Sequence, residues 1–228
     1  MKYSKVIEQH EKRLAEMAGQ NNPFMNEVKR MMRGVSSLEN LAVNRNPRHT
    51  EELHISEIAK SARRLQKEAD AASDRVNAIY RNKFLELEQK INDRAGLYAN
   101  PETAKEIRQA LRAMPEKDRI KAINDAVQRG DGEVIKSISG ASELLTGISS
   151  DVSARSVQAI QQQKAGDLVQ ELKLLDEGFS MSLAVLKDVN SAVREGFDPG
   201  KLREIEEKER IHQEAVSNFE GAFGDHIE

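Results

Sequence analysis

The apolar residues of this chain recur at steps of three and four from end to end, the spacing of helices that each bury one face. Val6, Ile7, Leu14 and Met17 predict a short helix over residues 3–18. Gly19-Gln20-Asn21-Asn22-Pro23 ends it, with a glycine and a proline around polar residues. Phe24, Met25, Val28, Met31 and Met32 form a second short apolar face up to Gly34, and a loose segment rich in Asn and Arg follows from Asn40 to Pro47. Residues 1–48 read together as an N-terminal helical arm.

Thr50 is a good N-cap, with Glu51 and Glu52 behind it where a helix dipole favours negative charge. From there residues 49–96 predict one long helix. Ile55, Ile58, Ala62, Leu65, Ala69, Ala72, Val76 and Ile79 form a heptad seam. After it the phase slips by a near four-residue stutter into Tyr80, Phe84, Leu87, Ile91 and Ala95. Three seam positions are alanine, so a partner helix can approach closely.

Residues 97–149 change character. Asn100-Pro101-Glu102 and Met114-Pro115-Glu116 each carry the residues of a helix start, and the two short helices present Ile107, Leu111 and Met114, then Ile120, Ile123, Ala126 and Val127. Gly130-Asp131-Gly132 reads as a helix stop and restart before Val134, Ile135 and Ile138, and Leu144-Leu145-Thr146-Gly147-Ile148 as a closing apolar turn. This stretch is predicted to be a compact head.

A second long helix follows over residues 150–196. Leu172, Phe179, Leu186 and Val193 sit seven apart, and Leu168, Leu175 and Val189 fill the companion position, alongside Val157 and Ile160. Ser182 is the polar exception there, with Leu183 beside it as the expected compensation. Gly166 and Gly178 mark expected sites of a kink or a close contact. Two helices of matched length around a compact insert predict an all-α fold: an antiparallel hairpin with the head at its tip. Its expected packing seam sets Ile55, Ile58, Leu65, Val76 and Ile79 against Leu168, Leu172, Leu175, Phe179, Leu186 and Val189. Asp198-Pro199 caps a last helix, residues 199–219, within an acidic C-terminal segment, 197–228, whose tail after Gly221 is expected to fray.

Composition agrees: 32% of the residues are charged, 4% aromatic, and Trp and Cys are absent from the 228. Stability must then come from packing, without disulfides or thiolate ligands. No run approaches the length of a membrane helix and the first residues lack a signal-peptide core, which predicts a soluble protein made inside a cell. The net charge of −3 is unevenly spread. Residues 1–48 hold nine Lys/Arg against five Asp/Glu, giving +4, and residues 197–228 hold four against nine, giving −5. Complementary ends could pair within one chain or between copies; an even spread of solvated charge is the alternative.

Candidate chemistry is sparse. The histidines are at positions 10, 49, 54, 212 and 226; His49 and His54 lie about 140° apart around a helix, and no His-Glu-x-x-His pattern occurs. The carboxylate pairs Glu51-Glu52, Asp176-Glu177 and Glu206-Glu207 lie in charged helical stretches that offer no water-excluding cleft. No serine elbow or phosphate loop is present. The expectation is a protein that is not an enzyme and holds no cofactor or metal. Basic residues Lys29, Arg30, Arg33, Arg45 and Arg48 gather in the arm, with Arg63, Arg64 and Lys67 on the first long helix. They offer contacts for nucleic acid, but acids interleave with them and aromatics for stacking are few. The Met-rich face, Phe24, Met25, Met31 and Met32, is either a docking surface for a partner or part of the chain's own core.

In the head, the string Glu106-Ile107-Arg108-Gln109-Ala110-Leu111-Arg112-Ala113-Met114 is followed by Arg119, Gly130-Asp131-Gly132-Glu133-Val134, Gly140-Ala141 and Leu145-Thr146-Gly147-Ile148. About a quarter of the chain thereby resembles helical proteins from the structural gene clusters of tailed bacteriophages and prophages. The shared features are an Arg-rich short helix, a Gly-Asp turn and an apolar close. The resemblance implies a virion or assembly component, made in the cytoplasm, and it carries over no catalytic residue. The expected function is therefore structural, through helix-mediated contacts with identical or other subunits, as a homo-oligomer or larger assembly. The alternative is a helical adaptor or chaperone-like regulator, with nucleic-acid binding behind it.

Overall fold

The structure, a computed structural model, describes residues 2–18 and 22–224. Among these residues the chain is all-α, with nine helices and no strands. They are α1 (Tyr3–Ala18), α2 (Met25–Val43), α3 (Glu51–Ala95), α4 (Pro101–Ala113), α5 (Glu116–Arg129), α6 (Gly132–Ile138), α7 (Glu143–Thr146), α8 (Ser150–Glu195) and α9 (Pro199–Gly224). The long helices α3 and α8 pack together as a hairpin-like pair. Two compact units are resolved: residues 1–79 with 178–228, and residues 80–177. The predicted stop at residues 19–21 and the end of the tail at 225–228 lie outside the described residues.

In the first unit, α1 and α2 of the N-terminal arm each bury one face. Ile7 and Leu14 of α1 and Val28, Met31, Val35 and Leu38 of α2 are buried. They share the unit with Ile58, Ala62, Leu65, Ala69, Ala72 and Val76 of α3, with Val185, Val189 and Ala192 of α8, and with Leu202 and Ile205 of α9. The Phe24 ring, fully buried, meets the Phe179 ring of α8 at 6.2 Å between centroids. Each large side chain buried in this way contributes about 1.5–3 kcal/mol.

Helix α2 does not stop at Gly34, as the sequence suggested, but runs on to Val43. A Cβ on Gly34 would lie 2.6 Å from Leu65 Cδ1, so the glycine serves close approach of α2 to α3 rather than termination. Its polar flank is tied as well. The Arg75 guanidinium grips Glu27 through two 2.9 Å hydrogen bonds, and the Glu39 carboxylate accepts the Tyr3 amide at 2.8 Å, capping α1 from a neighbouring helix.

In the second unit, α3 and α8 run antiparallel: Tyr80 donates to Asp176 at 2.8 Å, while Arg94, one helix end further on, reaches back to Asp167. Short helices pack onto this pair. Ala95, Leu97, Leu111, Ile123, Ala126, Ile135, Ile138, Ile148 and Ile160 form one core. The helix ends follow local chemistry. Asn100 caps α4 by accepting from the Glu102 amide at 2.9 Å, with Pro101 in the first turn. Gly130, at φ +70°, ends α5 in the left-handed conformation, and the Asp131 carboxylate accepts from the Val134 amide at 3.3 Å to start α6.

Other expectations are corrected. Leu144 and Leu145, read as a closing apolar turn, are 80% and 54% exposed; Thr146 and Ile148 are buried instead, tied by a 3.1 Å bond from the Ile148 amide to the Thr146 hydroxyl. Ile120 is exposed, and α5 buries Ile123 and Ala126. Leu183 does not compensate for Ser182. It is exposed, while Ser182 is buried with its hydroxyl donating to the Gly178 carbonyl at 2.8 Å. A small hydroxyl bonded to its own helix satisfies itself, so no apolar substitute is needed. The helix of the acidic segment is described to Gly224, beyond residue 219 and the Gly221 at which fraying was expected.

Candidate functional site

The seam residues occupy two environments. Ile58, Leu65, Val76, Leu168, Leu175, Leu186 and Val189 are buried, while Ile55, Ile79, Leu172 and Phe179 are half-buried. On α8 the line that stays inside is Leu168, Leu175, Ser182 and Val189, at steps of seven, joined by Val185 and Ala192. Sequence reasoning weighted the Leu172–Phe179–Leu186–Val193 line equally, because its side chains are larger. Continuity around Ser182 was the signal that could have ranked the two.

Phe24, Met25 and Met31 are buried and Met32 is half-buried. A face closed into its own core has no area left for a partner, so the docking surface expected there is withdrawn. The basic residues also fail to form one patch. Lys29 lies 3.9 Å from Glu11 and Arg30 is 2.5 Å from Glu68, whereas Arg33, Arg45 and Arg48 are exposed. The acidic C-terminal helix pairs chiefly with α3: Lys201 with Glu51, Lys208 with Glu52 and Arg63 with Glu206, at 3.1, 3.1 and 2.6 Å. The N-terminal arm meets α3 and α8 instead, through Glu27–Arg75, His10–Asp188 and Lys2–Glu195.

Neighbouring cations favour the ionised form of one member of two of the carboxylate pairs, and of Glu86 on α3. The Lys201 ammonium lowers Glu51, the Arg210 guanidinium lowers Glu207, and Lys90 with Lys83 brings Glu86 down to about 2. Such groups are poor general acids at neutral pH. The histidines stand apart: His10 on Asp188, His49 on Glu57 at 3.1 Å, His54 buried with Nδ1 lacking a hydrogen-bond partner among the described residues, His212 exposed, and His226 outside the described residues. Among the described residues no group of three or more His, Asp or Glu side chains is placed to hold a metal ion, and no helix is long and apolar enough to cross a membrane.

Between α2 and α3 runs an open groove lined by Leu38, Leu41 and Leu65, with Arg64 and Glu68 on its α3 side. Helix α9 buries Leu202 and Ile205 and is exposed from Glu206 to Ala222. In that stretch Ile211, Val216 and Phe219 are 55%, 40% and 67% exposed. Ile211, Ala215, Phe219 and Ala222 share one side of the helix. Sequence reasoning saw the acidic face of this helix and missed the apolar one, because four apolar residues among polar neighbours do not continue a heptad. No protein-family model matches the chain, and neither a curated protein nor a solved structure matches it.

Proposed function

We propose that this chain is a non-enzymatic structural or assembly protein that makes helix-mediated contacts with identical subunits, of the kind found in a tailed-phage virion or its assembly. In this reading it is a helical hairpin whose tip carries α4 to α7 as a head. The observation that carries the reading is α9: a helix of 26 residues that buries Leu202 and Ile205 in its first two turns and leaves Ile211 and Val216 exposed beyond them. Exposed apolar area on a regular helix is stabilised when another subunit covers it. The resemblance of residues 106–148 to phage structural proteins is consistent with the reading. Multi-angle light scattering behind size exclusion tests it at micromolar concentration. An oligomer is expected, and a monomer across the whole accessible concentration range would overturn self-assembly.

A further inference from the structure

We infer that residues 150–164 of α8, together with α4 to α7, turn as one body on the rest of the second unit, about a hinge made of Ala95-Gly96 and Ala165-Gly166. The backbone breaks at both places. Ala165, fully buried inside α8, leaves the helical conformation at φ −138° and ψ 33°, and Gly166, where a kink was expected, follows it. Gly96, at φ +65°, ends α3. The two breaks lie opposite each other across the helix pair: Arg94 donates to Asp167 at 2.6 Å, and Gln161 donates to Asn92 at 3.2 Å. They are the two chain connections between residues 97–164 and the remainder of the unit, and each is an Ala-Gly pair.

Packing changes at the same level. The core beneath α4 to α7 takes Ile160 from α8, with half-buried Val152 and Val157 beside it, all ahead of the break, and Ala95 from the last turn of α3. On the far side of the breaks the unit buries Leu87, Ile91, Leu168 and Leu175. Polar ties sort in the same way: Gln163 donates to the Gln128 carbonyl at 3.3 Å and Lys164 lies over Gly130, so this part of α8 is held to α5. Small residues fill the level between. Gly132 of α6 sits against the Ala95 and Gly96 carbonyls with no room for a Cβ, backbone on backbone. Interdigitated side chains resist rotation, whereas alanine and glycine offer little to interlock, and a few residues at element ends suffice to absorb the φ/ψ change of a hinge.

The chain has no cysteine, so spin labels can be placed in pairs without background. Arg81 of α3, Lys121 of α5 and Gln170 of α8 are exposed. Arg81→Cys with Lys121→Cys spans the hinge, and Arg81→Cys with Gln170→Cys stays on one side of it. Labelled chains are diluted into unlabelled protein, so that double electron–electron resonance reads distances within one chain. The spanning pair should give the broader distance distribution. Gly166→Ala favours an unbroken helix, and its Cβ would meet Gln162 Nε2, the end of a flexible side chain, at 3.0 Å. It should narrow the spanning distribution and slow amide exchange over residues 165–169 about fivefold, the helix preference of alanine over glycine written as a ratio. Equal widths for the two pairs in the otherwise unchanged protein would overturn the hinge. A broad spanning distribution that Gly166→Ala leaves as it was, with exchange unaltered, would overturn its placement at Ala165-Gly166.

Discussion

The fully buried ring of Phe24 packs against Phe179 of α8, and an added Cβ at Gly178 would lie 3.2 Å from that same Phe24 ring and 3.0 Å from Asn22 Nδ2. The residue just before α2 and a glycine inside α8 therefore form one close contact, which is why the N-terminal segment belongs to the core. Phe24→Ala should cost about 3–5 kcal/mol of unfolding free energy, the range for deleting a buried aromatic. Chemical denaturation followed by circular dichroism reads it. An unchanged midpoint would mean that the arm is not part of the cooperative unit.

Arg119 gives a second test, in the other unit. Its Nε donates to the Leu111 carbonyl at 2.8 Å, Nη2 to Met114 at 2.8 Å and Nη1 to Gly147 at 2.5 Å, so one guanidinium ties the end of α4 to the turn after α7. An ammonium cannot reproduce that planar fork. Arg119→Lys should cost about 1.5–3 kcal/mol on the scale of hydrogen bonds to charged groups, with faster amide exchange through residues 111–148. Equal exchange in both proteins would show that the three carbonyls are satisfied without it.

Much of this architecture was legible in the residues. Thr50, Asn100-Pro101 and Gly130-Asp131 act locally, through caps and left-handed turns that a few neighbours determine, and so α3 to α6 start and stop where the sequence indicates. Gly34 and Leu144 could not be read this way. Gly34 is a helix breaker by propensity, yet its helix continues because the Leu65 side chain fills the space beside it, a fact of tertiary packing. Leu144-Leu145 is apolar, yet exposed, because Thr146 and Ile148 carry the bonds and burial of that turn. The exposed stripe of α9 was hidden for another reason: its apolar residues stand among polar neighbours and do not continue a heptad.

Acid should destabilise the fold in a defined window. Burial raises the Glu39 carboxyl, but hydrogen bonds from Ser4 and from the Tyr3 and Ser4 amides outweigh it and leave the group below its usual value. Glu51 and Glu207 are lowered by Lys201 and Arg210, and Glu86 is held at about 2. A carboxyl lowered on folding contributes its full stability above its unfolded value near 4.5, and that contribution disappears as the pH falls through the lowered value. The melting temperature should therefore be flat from pH 7 to about 5 and fall between about 4.5 and 2. Salt should blunt the share from the exposed pairs. Glu39→Gln should flatten part of the acid limb; a limb identical to that of the wild type would show that this cap does not couple to folding.

Two glycines in helices predict opposite outcomes for one substitution. A Cβ on Gly132 would meet the backbone oxygens of Ala95 and Gly96 at 2.2 and 2.3 Å, and backbone cannot step aside as a flexible side chain can. Gly132→Ala should therefore destabilise the second unit by about 1–3 kcal/mol or more, since α6 must shift away from the end of α3. Gly221 has nothing within 4 Å of its Cβ position, and α9 is exposed around it. There Gly221→Ala should leave global stability unchanged and raise helicity, alanine being favoured by about 1 kcal/mol in a helix interior. Denaturation midpoints and far-ultraviolet circular dichroism of the two variants separate the cases. A Gly132→Ala protein as stable as the wild type would mean that α6 does not press on residues 95 and 96 in solution.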